Sequence, residues 1–329
     1  MKKIAVIGSG SWATAIVKII STNVESLTWY YRHQADIDFV KQQQHNPRYL
    51  SSVSFDLNKL NLTSNLQQGI EEADIVILAV PSAFIHNTIK ELPKTIFDNK
   101  LVFSAIKGIV PEYNLIVGEY LNTQFNVPLN NIGVITGPCH AEEVALEKLS
   151  YLTIACHDIS NAEILCNYMR CRYIKCSSSD DIYGTEISAV LKNVIAVAGG
   201  ICHGLGYGDN FLAVLVSNAI QEIDRFVAAI HPIDRDTKAS AYLGDLLVTA
   251  YSQFSRNRTF GTMLGKGYSV KNAQLEMNMI AEGYYAVKCV CEINKKYKVF
   301  MPITEAVNNI IYNNQDVKQE MAMLSDKLS

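Results

Sequence analysis

Apolar positions in the first half of the chain fall into short runs, and stretches with helical spacing separate them. Residues 3–7 predict a buried strand, and residues 14–20 continue with the 3.6-residue spacing of a helix. Residues 26–31 predict a second strand and 35–44 a polar helix, followed by a loop at 46–50 and a short helix at 65–72. The run 74–82 is the clearest buried strand, closed by Pro81. Helices at 83–92, 112–123 and 160–170 then alternate with strands at 101–105, 132–136, 152–155 and 173–176. Strand–helix alternation of this kind predicts a doubly wound sheet, parallel at its core.

After about residue 180 the strand signals stop. Segments 188–200, 211–230, 284–296, 304–312 and 316–328 all carry helical patterns. The first of them, read from Glu186 to the pair Gly199 and Gly200, is apolar on nearly every side, which predicts a helix buried in a folded body. The glycine pair reads as its C-terminal stop. In its middle stand Lys192 and Asn193. A lysine in apolar surroundings finds a partner, reaches water, or loses its proton easily. The last property suits a general acid or base near neutral pH. The predicted division is therefore 1–185 as a dinucleotide-binding domain and 186–329 as a helical substrate-binding domain.

The turn after the first strand supports the first half of that division. Gly8-Ser9-Gly10-Ser11-Trp12-Ala13 is Gly-x-Gly-x-x-Ala between a strand and a helix. Its first glycine permits the tight turn, the second lets the backbone approach a pyrophosphate, and the small third residue allows helix–strand packing. Dinucleotide folds often carry an acidic residue about 20 positions later to hold the ribose 2′-hydroxyl. Arg32 and His33 stand there instead. An arginine fork suits a 2′-phosphate, which favours NADP over NAD; the competing account is a surface arginine with no cofactor contact. The fold class is α/β: an N-terminal Rossmann-like doubly wound sheet with a C-terminal all-helical domain. In such sheets ligands lie beyond the carboxyl ends of the strands, which singles out Gly8–Ala13, Arg32, Pro81, Lys107 and the segment from Gly137 to Ala141.

Composition removes other classes. With 329 residues, two cores are expected, and 49% hydrophobic with 19% charged residues describes an ordinary globular chain. A net charge of -3 gives no support for nucleic-acid binding. Eight cysteines lack the density of a disulfide scaffold, and a reduced, cytoplasmic protein is the simpler account. Met1-Lys2-Lys3 followed by apolar residues resembles the start of a secretory signal, but glycines and serines interrupt it after four apolar positions. No membrane span is expected. Cys139-His140, Cys156-His157 and Cys202-His203 suggest a metal, yet adjacent residues do not readily ligate one ion and no second pair completes a site.

Two more places in the second half could carry chemistry. Asp245 and Thr249 lie one helical turn apart, and Ser255-Arg256-Asn257-Arg258 offers donors suited to a phosphate, or else forms a solvated basic turn. Lys107 alone would be an ordinary surface lysine.

These elements in this order resemble the NAD(P)-dependent glycerol-3-phosphate dehydrogenases of the bacterial type over nearly the whole chain. The pieces that carry the likeness are Gly8–Ala15, Ser104–Gly108, Gly137-Pro138, Ala141–Glu143, Leu191–Ala196, Gly244–Leu246, Ser255–Arg258, Ala281–Tyr284 and Met301–Glu305. The resemblance implies reversible reduction of dihydroxyacetone phosphate to sn-glycerol 3-phosphate, the backbone precursor of phospholipids, by a homodimer. It implies Lys192 as general acid/base, Asp245 as its partner at the substrate, and Arg256 gripping the substrate phosphate with Ser255 and Asn257 beside it. Lys107, Gly137, Cys139, Asn193 and Thr249 would complete the substrate site. Gly8, Gly10, Ser11, Trp12, Arg32, His33, Tyr49, Lys107, Ala141, Arg256, Ile280 and Glu282 would line the cofactor site. Cys139 stands where serine or threonine is usual, His140 where a bulky aromatic is common, and Ala241-Tyr242-Leu243 where smaller residues are expected. A β-hydroxyacid dehydrogenase and a non-catalytic NADP-binding sensor on the same scaffold are the rival readings.

Overall fold

The computed structural model describes residues 2–277 and 281–329. The chain forms two compact units, Met1–Ile106 with Val117–Ile182, and Lys107–Ile116 with Tyr183–Ser329. The second unit thus includes a short segment well before the expected break at residue 185.

The first unit is built on an eight-stranded sheet. Its strands, in chain order, begin with β1 (Ile4–Ile7), β2 (Leu27–Tyr30), β3 (Leu60–Thr63), β4 (Ile75–Leu78) and β5 (Leu101–Ser104). A two-stranded hairpin intervenes, β6 (Ile109–Val110) with β7 (Leu115–Ile116), before β8 (Ile132–Thr136), β9 (Ser150–Cys156) and β10 (Ile174–Ser179) return to the sheet. Spatial order is β10-β9-β8-β5-β4-β1-β2-β3. All pairings are parallel except β8 with β9, so the reversal of strand order falls between β1 and β4. Every residue of β1, β4, β5 and β8 is buried, as expected of parallel strands covered on both faces. The covering helices are α1 (Ser11–Ile20), α2 (Gln34–Gln43), α3 (Leu66–Glu71), α4 (Ser82–Ile89), α5 (Val117–Phe125), α6 (Ala141–Ala145) and α7 (Ile159–Met169). The fold class is that expected: a Rossmann-like sheet, then helices.

Several short elements differ from expectation. β3 escaped notice because four residues of mixed burial carry little periodicity. The helix expected from residue 112 starts at Val117, because Ile109–Val110 and Leu115–Ile116 pair antiparallel first. Asn114 closes the turn between them with φ +53°, its N–H donating to the Val110 carbonyl at 2.9 Å.

Among the described residues the second unit is built of helices apart from that hairpin. Its helices are α8 (Ile182–Gly204), α9 (Asp209–Ile230), α10 (Asp245–Tyr251), α11 (Arg256–Gly265), α12 (Val270–Glu276), α13 (Glu282–Tyr297), α14 (Pro302–Tyr312) and α15 (Val317–Ser325). Val190, Leu191, Val194 and Ala198 of α8 form one core with Leu215, Phe226, Phe260 and Val307. Burying each of the larger of these side chains contributes about 1.5–3 kcal/mol. By length and composition α8 alone among the described helices could cross a membrane, but 89% of its most apolar stretch is buried within the fold.

Gly199 and Gly200 do not end α8, contrary to expectation; the helix continues to Gly204. The glycines serve packing instead. A Cβ on Gly200 would lie 2.1 Å from the Arg258 carbonyl oxygen, and one on Gly261 would lie 2.0 Å from that of Val197. Gly204 and Gly265 repeat the relationship one turn on. Helices α8 and α11 therefore touch backbone to backbone.

Candidate active site

In the first unit, the glycine turn joins β1 to α1. Gly8 has φ +128°, and a Cβ there would meet the Ala79 carbonyl oxygen at 2.4 Å, so only glycine fits. The Trp29 indole N–H donates to the Gly8 carbonyl at 2.8 Å. Gly10 caps α1 without a side-chain hydrogen bond, and a Cβ on it would meet nothing within 4 Å. An open, uncapped helix start carries partial positive charge and orphan N–H donors. These features fit a pyrophosphate, with Ser11 and Trp12 in the first turn of α1.

A second residue fixes this turn. The buried Asn46 amide donates to the Ser9 carbonyl at 3.0 Å, Thr14 Oγ1 at 2.9 Å and the Tyr31 hydroxyl at 3.3 Å. Its Oδ1 accepts from the backbone N–H groups of Arg48 at 2.9 Å and Tyr49 at 3.0 Å. Asn46 thus ties the glycine turn to the loop bearing Tyr49. Sequence reasoning passed over it; the only local sign was an asparagine before Pro47 in a loop.

Arg32 and His33 are exposed just beyond β2, with His33 preceding α2. Beyond β8, Gly137 has φ +109°, and a Cβ on it would meet the Tyr151 carbonyl oxygen at 2.8 Å. Cys139 is buried, and Ala141 opens α6. All of these belong to the first unit. Ile280 lies outside the described residues.

The charged residues gather in the second unit. Asp245 heads α10, entered through a π-helical turn at Ser240–Gly244 that buries Ala241 and Tyr242, the positions where smaller residues were expected. Lys192 of α8 donates to Asp245 Oδ1. Lys107, just before the hairpin, places Nζ 3.5 Å from Oδ2. Lys192 is 4% exposed and Asp245 1%, so both charges are desolvated. Burial pulls the Lys192 ammonium down to about 7; Asp245 opposes the shift and Lys107 adds to it. Thr249 Oγ1 donates to the Asp245 carbonyl at 2.6 Å, one turn along α10.

A line of amides adjoins the lysines. The Gly283 N–H donates to Asn257 Oδ1 at 2.9 Å, Asn257 Nδ2 to Asn193 Oδ1 at 2.9 Å, and Asn193 Nδ2 to the Lys107 carbonyl at 2.7 Å. Asn193 and Asn257 are thus committed to holding α8, α11, α13 and the Lys107 segment in register. A Cβ on Gly283 would lie 2.6 Å from the Asn193 carbonyl oxygen, so α13 also approaches α8 by its backbone. Gly283 stood out from sequence only as part of the stretch Ala281–Tyr284, with Glu282 beside it the site candidate, and the hydrogen-bonded line itself was not foreseen.

Arg256 opens α11. Ser255 is the helix cap, its Oγ accepting from the Arg258 N–H at 3.3 Å. The Arg256 side chain is half-buried and makes no hydrogen bond or ion pair among the described residues. A helix start with an uncommitted guanidinium is chemically suited to a phosphate. The segment that sequence left between a phosphate cradle and a basic turn is therefore the first turn of a helix.

By fold, the molecule falls in the class of dinucleotide-dependent oxidoreductases that join a Rossmann-like sheet to a helical body. The models of the NAD-dependent glycerol-3-phosphate dehydrogenase N-terminus and C-terminus match residues 3–162 and 181–322. The chain belongs to the NAD-dependent glycerol-3-phosphate dehydrogenase family. It is 31% identical over 331 residues to the glycerol-3-phosphate dehydrogenase (NAD(P)+) of Limosilactobacillus reuteri DSM 20016, covering 99% of this chain and 97% of that one. The enzyme of that name from Exiguobacterium sp. AT1b is 34% identical, with 98% and 95% covered. A crystal structure of glycerol-3-phosphate dehydrogenase from Coxiella burnetii superposes with TM-score 0.91 at 27% identity, covering 98% of each chain.

Proposed function

We propose that this NAD(P)-dependent glycerol-3-phosphate dehydrogenase reversibly reduces dihydroxyacetone phosphate to sn-glycerol 3-phosphate through Lys192 as general acid/base. The observation that carries the reading is the desolvated cluster of Lys192, Asp245 and Lys107. Bound nicotinamide supplies the hydride, or takes it up in reverse. Lys192 delivers a proton to the carbonyl oxygen as that oxygen gains negative charge, and removes it from the alcohol in the other direction. A proton affinity close to neutral suits both tasks, and such help is worth about 10²–10⁴-fold. Lys107 adds positive charge for the developing alkoxide, while Asp245 holds the two ammonium groups in place.

Arg256 grips the substrate phosphate, with the N–H groups at the start of α11 assisting. Ser255 and Asn257 act mainly by fixing that helix start, and Asn193 by fixing the Lys107 segment. Gly137 and Cys139 complete the substrate residues, the thiol being a weak hydrogen-bond donor. The cofactor is held at Gly8–Ala13 with Tyr49, Ala141 and Glu282, and Arg32 takes the 2′-phosphate, which makes NADPH the preferred form. Supply of phospholipid backbone, a homodimeric state and a cytoplasmic setting are the parts of this reading that rest on the family alone.

Steady-state kinetics test it. Dihydroxyacetone phosphate should be reduced at least about a hundredfold more efficiently than 3-oxo acids lacking a phosphate, and Arg256→Ala should raise KM for it. Preference for the oxo acids would favour the β-hydroxyacid dehydrogenase class instead.

A further inference from the structure

Three cysteines lie between residues 166 and 176, and the fold brings two of them together. Cys166 is on α7 and fully buried; Cys176 is half-buried on β10, the outermost strand at its end of the sheet. The Cys176 thiol donates to the Cys166 sulfur at 2.9 Å. Arg170 spans the same corner. Its Nε donates to the Cys176 carbonyl at 3.1 Å and its guanidinium pairs with Glu163 at 3.0 Å. The other cysteines with a defined shift are simply protected, since burial pushes Cys202 and Cys291 up to about 12 and Cys156 and Cys289 up to about 11. Cys166 departs in the opposite direction, chiefly because Cys176 donates to it, with the Arg170 charge assisting. Cys176 rises for the same reason.

We propose that Cys166 and Cys176 form an oxidisable dithiol that closes reversibly into a disulfide between α7 and β10, with a hydroperoxide as oxidant. Half-buried Cys176 is the side of access for a molecule as small as hydrogen peroxide, and its sulfur lies 2.9 Å from that of Cys166. The Cys166 thiolate attacks one peroxide oxygen; the O–O bond breaks and the leaving oxygen departs as water once protonated. Cys176 then attacks the Cys166 sulfenic acid, the S–O bond breaks, and a second water leaves. In total two thiols lose two electrons and two protons, and one hydrogen peroxide becomes two waters. A dithiol reductant reverses the step by thiol–disulfide exchange.

Intact-mass and peptide analysis of the reduced full chain after hydrogen peroxide treatment tests the proposal. The expected result is a loss of about 2 Da, restored by dithiothreitol. Trypsin cuts after Lys148, Arg170, Arg172, Lys175 and Lys192, so the new bond should link peptide 149–170 to peptide 176–192. Fragment spectra should place it on Cys166, not on Cys156 of the same peptide. Cys176→Ser should slow the 2 Da loss at least about tenfold, with Cys166→Ser as the second variant. Linkage through Cys171, or irreversible oxygen addition without a link, overturns the proposal. So does full alkylation of all eight thiols after treatment.

Discussion

Lys107 and Lys192 meet on the two oxygens of one carboxylate, Asp245. The two neighbours push Lys192 in opposite directions: Asp245 favours its ammonium and Lys107 disfavours it. The outcome is set by burial, which dominates both.

The first prediction follows from those signs. On the proposed mechanism reduction needs the Lys192 ammonium, so kcat/KM for reduction should fall as pH rises through about 7. Asp245→Asn removes the charge that raises Lys192 and should move this limb to lower pH. Lys107→Met removes a charge that lowers it and should move the limb to higher pH. Shifts of both variants in one direction would show that another group titrates.

Lys192→Met keeps the length and apolar stem of the lysine while removing the proton. Turnover of dihydroxyacetone phosphate should drop about 10²–10⁴-fold, while NADPH, titrated by its fluorescence, binds as before. Near-normal turnover would remove Lys192 from the mechanism.

Gly261→Ala should separate α8 from α11, because the added Cβ would lie 2.0 Å from the Val197 carbonyl oxygen. A loss of about 1–3 kcal/mol in urea unfolding is expected, with a raised KM for dihydroxyacetone phosphate as Asn257 shifts. Gly208→Ser is the control, since a Cβ there meets nothing within 4 Å. It should leave both measurements nearly unchanged.

Glu222 of α9 is fully buried and caps α14. Its carboxylate accepts from the Ile303 N–H at 2.9 Å, the Thr304 N–H at 3.0 Å and the Thr304 hydroxyl at 2.5 Å. Glu222→Gln replaces one acceptor oxygen by a donor and should destabilise the protein by about 1–3 kcal/mol in urea. Burial raises the Glu222 pKa in the folded state, so its stabilising contribution is greatest at acid pH and declines as pH rises through that raised value. Stability of the wild type should therefore slope downward between the ordinary glutamate range and the raised value, and that contribution to the slope should be lost in the variant.

Arg32→Ala should erode the preference for NADPH over NADH, read as a fall in the ratio of kcat/KM values with little change for NADH. An unchanged ratio would assign Arg32 to the surface.

Much of the candidate site was legible because its signals are local. The glycine turn announces itself within six residues, and Lys192 stands out as a charge on an otherwise apolar helix. What escaped depends on partners far away in the chain. Asn46 bonds to residues 9, 14 and 31, and Gly283 matters because the fold brings Asn257 of α11 and the Asn193 carbonyl of α8 to it. Helix α11 itself was obscured because Arg256, Asn257, Arg258 and Thr259 look like a polar loop, and glycine-mediated packing against α8 overrides that composition. The hairpin at 109–116 has strands of two residues, too short for any periodicity to register.

The glycine seam between α8 and α11 also limits how this enzyme could be redesigned. Gly200, Gly204, Gly261 and Gly265 admit no side chain without moving a neighbouring backbone, so substitution along the seam would push the two helices apart before it reshaped the candidate site. A change of substrate would have to be made at the helix ends, around Arg256 and the turn before Asp245, where side chains rather than backbones set the spacing. A library aimed at new specificity should diversify those ends and leave the seam untouched.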